Sequence, residues 1–416
     1  MATVILLGTL DTKGVEYDYL RQRVQQLGCE VILIDAGVKG SPQVQPDIPH
    51  EQVAQAAGVD VAQLAAQGDR GAAVAAMARG ATQIVLDLFK QGRVHGIFGL
   101  GGSGGSAIVS QVMRALPIGV PKLVVSTMAA GDTRPYVGSA DITMMYSVVD
   151  IAGINRISER ILTNAAAGIS GMAHAYESFK AASSGKPLIG ATMFGVTTPC
   201  VDEARKYLEA RGYEVLVFHA TGTGGQSMET LVKDGFLAGV LDCTTTELAD
   251  ELVGGVLSAG PHRLEAAGAQ GIPQVVSLGA LDMVNFGPMD SVPEKFKQRN
   301  LYKHNETVTL MRTTVEENAE LGGIIARKLN QASGPVVVFI PLRGVSLIDV
   351  EGGPFHDPQA DQALIENLTT NLKPEIEVHK LDMDINDPRF ARAMASRLDE
   401  YVQTRLKQPG HVSSAS

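Results

Sequence analysis

Val4-Ile5-Leu6-Leu7 leads through Tyr17, Leu20, Val24 and Leu27 to Gly28-Cys29-Glu30-Val31, and Leu188-Ile189-Gly190-Ala191 leads through Val201, Ala204 and Leu208 to Gly212-Tyr213-Glu214-Val215. The two cadences overlay as apolar strand, helix with apolar residues at three- and four-residue spacing, glycine, acidic residue and second strand. The correspondence continues with residues 94–100 and 237–241, then 123–126 and 274–278, all buried-strand patterns. Runs such as Ile97-Phe98-Gly99-Leu100 and residues 336–340 are apolar without alternation, as strands are when helices cover both sheet faces. The expected fold is α/β: two Rossmann-like, doubly wound parallel-sheet domains related by an internal repeat, with a ligand cleft between them at the carboxyl ends of the strands.

A helical pattern over residues 157–182 stops at Ser183-Ser184-Gly185-Lys186-Pro187, directly before the second repeat begins. The amino-terminal domain is therefore expected over 1–184, the carboxyl-terminal domain over 185–407, and a disordered polar tail over 408–416. Residues 291–305, with Pro293 and several basic positions, break the rhythm of strand and helix and read as an inserted loop over the cleft.

A chain of 416 residues with 45% hydrophobic content can bury a core in each of two domains. Cys29, Cys200 and Cys243 show no metal-ligand or redox spacing and read as small buried side chains in a reducing cytoplasm. The start of the chain has no basic segment and carries Asp11 early, which argues against a secretory signal. No stretch reaches the roughly 18 apolar residues of a membrane span. A net charge of −10, no Trp and 5% aromatics argue against a nucleic-acid surface while leaving room for a local anion pocket.

Gly99-Leu100-Gly101-Gly102-Ser103-Gly104-Gly105-Ser106 follows a strand and opens a helix. Without Cβ atoms, its amides can close on a phosphate or carboxylate, and the helix end adds partial positive charge. Gly99, Gly101 and Gly104 meet the spacing of the dinucleotide fingerprint, but in a later βα unit and without the acidic residue that should follow, so NAD is the weaker reading and an NAD-dependent dehydrogenase the less favoured function. Gly8-Thr9-Leu10-Asp11-Thr12-Lys13 arrives at the same sheet edge, offering hydroxyls, an ammonium for a phosphate, and Asp11 as acceptor for a ribose or a Mg²⁺-bound water. Ser126-Thr127-Met128 and the following Asp132 and Arg134 form a third strand-end loop.

In the second half, Thr221-Gly222-Thr223-Gly224-Gly225 reads as another anion nest, and Cys243-Thr244-Thr245-Thr246-Glu247 stands where the glycine loop stands in the first half. Nucleotide binding is accordingly expected in the first domain. Candidate catalytic residues are Arg343, His304, Arg312 and Asp349; the acidic group around Asp349, Glu351, His356 and Asp357 reads as a surface turn rather than a metal site. No His-Glu-x-x-His or zinc spacing occurs, and Gly-x-x-x-x-Gly-Lys-Ser/Thr is absent.

With residues 4–13, the 99–105 loop, Ser126-Thr127-Met128-Ala129 and the Arg343-Gly-Val-Ser-x-x-Asp349 stretch in hand, the chain resembles the ATP-binding domain family typified by the tomato mosaic virus resistance protein. The resemblance runs to about residue 405, and by it the chain is expected to be a stand-alone form without the barrel domain fused to the plant protein. It implies two Rossmann-like subdomains, homodimer formation and ATP as ligand with Mg²⁺ carried by the nucleotide. The ATP would lie near Gly8, Thr9, Asp11, Thr12, Lys13, Gly101, Gly102, Ser103, Gly104, Gly105, Ser126, Thr127, Met128 and Asp132. The expected function is a cytoplasmic ATP-dependent transferase, ligase or hydrolase acting on a small carboxylate or phosphorylated metabolite in the cleft. The rival from another class is a nucleotide-binding sensor or interaction module without turnover.

Overall fold

A computed structural model describes residues 1–179 and 185–407. The expected boundary after residue 184 adjoins, and the expected tail at 408–416 falls in, segments outside the described residues. The chain divides into two compact units, Met1–Ala181 and Ala182–Ser416.

The first unit holds a parallel sheet of β1 (Thr3–Gly8), β2 (Glu30–Asp35), β3 (Gly96–Gly101), β4 (Lys122–Ser126) and β5 (Thr143–Tyr146), in the spatial order β2-β1-β3-β4-β5. Side chains alternate across it, and β1, β3 and β4 are buried on both faces. Val4 and Leu6 join Leu10, Tyr17, Leu20 and Val24 of helix Leu10–Gln26 and Ile169 of helix Arg156–Ser178 in one core. Ile5 and Leu7 join Met77 and Val85 of helix Arg70–Lys90 and Val109 and Val112 of helix Ser103–Ala115 in the other. Arg70–Lys90 is the one described helix long and apolar enough to cross a membrane, and it buries Ala73, Ala76, Met77, Ala81 and Val85 in that core.

Because chain order reverses between β1 and β3, helices leave these neighbouring strands on opposite faces and a crevice opens above their carboxyl ends. Tyr17 secures its floor. Its hydroxyl donates to the carbonyl of Leu7 on β1 and accepts from the Leu100 amide on β3 at 2.9 Å. Gly8 is required beside it, since a Cβ there would stand 2.1 Å from that hydroxyl. Tyr17→Phe strands two buried backbone groups, so unfolding free energy from urea melts should fall by about 1–3 kcal/mol.

The second unit holds β6 (Leu188–Met193), β7 (Glu214–His219), β8 (Leu237–Thr244), β9 (Gln274–Gly279), β10 (Met283–Phe286), β11 (Leu301–Lys303), β12 (Thr309–Arg312), β13 (Val336–Pro341) and β14 (Glu377–Leu381). Six form a parallel sheet in the order β14-β13-β9-β8-β6-β7, with chain order again reversing beside the first strand of the unit, between β6 and β8. β1 thus matches β6, β3 matches β8 and β4 matches β9, as the repeat requires. The segment read as an inserted loop, 291–305, instead supplies β11 to a three-stranded antiparallel sheet, β10-β12-β11. A strand of three residues is too short to show alternation, which is why sequence periodicity missed it.

Candidate functional site

The strongest site lies above β3. Gly102 is the N-cap of helix Ser103–Ala115 and brings no side-chain cap, so the first-turn amides of Ser103, Gly104 and Gly105 have no carbonyl four residues back within the helix. The first helical bond closes from Ser106 N to Gly102 O at 2.9 Å. A Cβ on Gly101 would meet Gly105 Cα at 2.9 Å, so the tight bend needs glycine there. Gly102, Gly104 and Gly105 are half-buried and Ser103 is exposed, leaving the bend open to solvent.

Two groups from other elements face this bend. Thr127 Oγ1 lies 3.6 Å from where a Gly102 Cβ would stand, and an Arg70 guanidinium nitrogen lies 3.1 Å from the corresponding point on Gly104. Arg70 is exposed at the start of its helix, where Asp69 Oδ1 caps the Ala72 amide at 3.0 Å. Free amides, a hydroxyl and a guanidinium on one bend suit a polyanion. Sequence reading missed Arg70 because nothing in its local pattern ties it to a loop thirty-odd residues further on.

The other expected residues divide between this bend and different tasks. Gly8 and Thr9 end β1 on the strand beside it, with Thr9 Oγ1 3.0 Å from Thr12 Oγ1. Several amides after β1 are engaged within the protein: Leu10 N donates to buried Asp35 at 3.0 Å, and Thr12 N and Lys13 N donate to Thr9 O at 3.3 and 2.9 Å. Asp11 turns toward the loop after β2, accepting from Lys39 N at 2.8 Å. The Lys13 ammonium donates to the carbonyl of Ile151. Ser126 pairs with Ser106 at 2.6 Å and accepts from Met128 N at 3.0 Å, tying the β4 loop to the glycine-loop helix. Asp132 instead grips exposed Arg134 in a two-point pair, which holds the Asp132 carboxyl below the usual range.

Residues 101–105 also satisfy Gly-x-Ser-x-Gly, the spacing of a hydrolase nucleophile elbow, a pattern missed from sequence. Among the described residues the non-glycine positions with positive φ are Val148, Leu264 and Ala280, so Ser103 lacks the strained elbow backbone. Among the described contacts no histidine bonds its hydroxyl.

The second unit uses the same parts differently. The nest at residues 222–225 is filled from within: Glu247 Oε1 accepts from Gly222 N at 2.8 Å and Gly225 N at 3.0 Å. A Cβ on Gly225 would stand 2.1 Å from the Glu247 carboxylate, so that glycine makes room for the protein's own anion. Glu247 also meets Arg263 Nε at 2.7 Å, and fully buried Arg263 reaches Asp242 at 2.9 Å and Glu229 at 3.3 Å. Burial pushes the Glu247 carboxyl up, against the pull of Arg263.

The catalytic candidates all lie in the second unit. Arg312 is buried and occupied by Phe355 O at 2.7 Å, Thr313 Oγ1 at 2.9 Å, Asp361 at 2.7 Å and Asp349 at 3.3 Å. Asp349 is pushed up to about 9, chiefly by burial and then by Asp282 and Asp361; burial likewise takes Asp282 to about 6. Arg343 is exposed and pairs with Asp382 at 2.6 Å, and His304 sits on an exposed turn. Among the described residues no group of three or more His, Cys, Asp or Glu is placed to hold a metal ion.

Bacterial relatives match almost end to end. A UPF0261 protein of Clostridium tetani is 54% identical over 95% of this chain and 98% of its own. The ToMV resistance protein Tm-1 of Solanum lycopersicum is 46% identical over 81% of this chain but only 45% of its own length. Among solved structures, MurG of Acinetobacter baumannii is 13% identical over 99% of this chain and 96% of its own, with a TM-score of 0.22, a value at which the two superpose poorly as wholes. Residues 2–178 match the N-terminal domain and 186–402 the C-terminal domain of the Uncharacterised protein family UPF0261, and the chain belongs to that family.

Proposed function

We propose that the first unit binds ATP, with phosphates on the amides of Ser103, Gly104 and Gly105, Thr127 beside them, and Arg70 against the terminal charge. The observation that carries this reading is the contrast between two similar nests: the one at 222–225 is closed by Glu247, and the one at 102–105 stands open beside an exposed guanidinium. Mg²⁺ would arrive with the nucleotide and neutralise phosphate charge. ATP would supply a transferable phosphoryl group, and the protein's part is to position and stabilise it. The function that follows is an ATP-dependent transferase, ligase or hydrolase acting on a small carboxylate or phosphorylated metabolite.

A nucleotide sensor without turnover is the second reading. It is favoured by the engagement of Arg312, Asp349 and Arg343 with the protein's own groups in the second unit, and by the lack, among the described contacts, of a base bonded to the Ser103 hydroxyl in the first.

Calorimetry with ATP and ADP on the wild-type chain and on Arg70→Ala tests the site. ATP affinity should fall about tenfold in the variant, near 1.4 kcal/mol, and ADP affinity less, because Arg70 is assigned to the outermost phosphate. No binding to the wild type, or equal ATP affinity in both, would remove the assignment.

A further inference from the structure

We infer that residues 147–153 form a strap that Lys13 holds down in the ligand-free protein and releases when a polyphosphate on the glycine loop draws its ammonium away; the inference rests on the nucleotide reading above. The strap begins under strain. Val148 has φ of 63°, a region that a β-branched residue rarely enters, and its turn closes through Val149 N donating to Ser147 O at 2.7 Å. Ser147 is only 4% exposed, yet its hydroxyl has no hydrogen-bond partner among the described residues. Beneath lies a cavity of about 10 Å³ lined by Glu16, Val125, Ser147, Asp150 and Ile151, room for about one water. The strap is thus anchored by Ile151, which is buried in the core, and is loosely satisfied at Ser147.

Two contacts from the helix after β1 hold it. The Lys13 ammonium donates to Ile151 O, and Glu16 Oε1 accepts from Gly153 N at 2.7 Å. Lys13 itself departs from helical geometry, with φ −128° and ψ 18°, so the helix is already broken where its ammonium is tethered. Among the described contacts that ammonium has one partner, a neutral carbonyl. A phosphate is the stronger acceptor for it, and the switch-point crevice places one on the neighbouring strand end. Release lets Val148 leave its strained turn.

Hydrogen exchange on the full chain, with and without ATP and Mg²⁺, tests this. With ATP, amides 148–153 should exchange about tenfold faster while those at 103–105 slow. In Lys13→Met the strap should exchange fast before any ligand is added. Slowing at 103–105 with the strap unchanged or slowed overturns the strap and leaves the nucleotide site standing. A Lys13→Met strap as slow as wild type overturns it too. No change at either segment removes both.

Discussion

Arg263→Met is expected to destabilise the second unit by about 3–5 kcal/mol, read from urea denaturation. The guanidinium is fully buried between Glu229, Asp242 and Glu247, so its removal leaves three carboxylates facing one another with no counter-charge. They cannot turn to solvent, because each is fixed by further bonds. Glu229 accepts from Leu264 N at 2.6 Å and Ala266 N at 2.7 Å, Asp242 from Thr192 Oγ1 at 3.0 Å, and Glu247 holds the glycine nest. Domains are stable by only about 5–15 kcal/mol, so the loss would take a large share of the total. Arg263→Lys should recover little, since an ammonium cannot reproduce the fork that reaches Asp242 with two nitrogens. A loss under about 1 kcal/mol would mean that the carboxylates relax or take up protons at little cost.

Gly102→Val is expected to weaken ATP binding about 100-fold, near 2.7 kcal/mol, with little change in thermal midpoint. Gly102 has a negative φ, −81°, outside the left-handed region that requires glycine, and its Cβ would meet only Thr127 Oγ1 at 3.6 Å, an ordinary contact. The added branches would occupy the space proposed for phosphate without unsettling the bend. Gly101 would be a poor choice, because a Cβ there presses on Gly105 Cα at 2.9 Å and confounds folding with binding. Calorimetry should also return one ATP per chain, since the second nest is already filled. Equal affinity in wild type and variant would take the glycine loop out of the site.

What sequence shows of this molecule follows from range. The two parallel sheets are legible because strands covered on both faces become short apolar runs, and the loops of β1, β3 and β4 converge because a parallel sheet puts all its strand ends on one edge. Side-chain destinations are another matter. Residues 222–225 have the composition of an anion nest, yet the occupant is Glu247, which reaches them only when β7 and β8 flank β6. Arg263 sits in no motif, and its partners come from three separate segments. Lys13 and Asp11 lie in the expected loop but serve the 147–153 segment and the β2 loop, respectively. Composition proposes a site; long-range hydrogen bonds decide which groups remain free to serve it.

The most direct test is a crystal structure of the full chain with a non-hydrolysable ATP analogue and Mg²⁺. Phosphate oxygens within hydrogen-bond distance of the amides of Gly104 and Gly105, with the Arg70 guanidinium turned onto them, is the predicted result. Phosphates seated at residues 222–225 with Glu247 displaced, or an analogue bound away from the 102–105 bend, would contradict it.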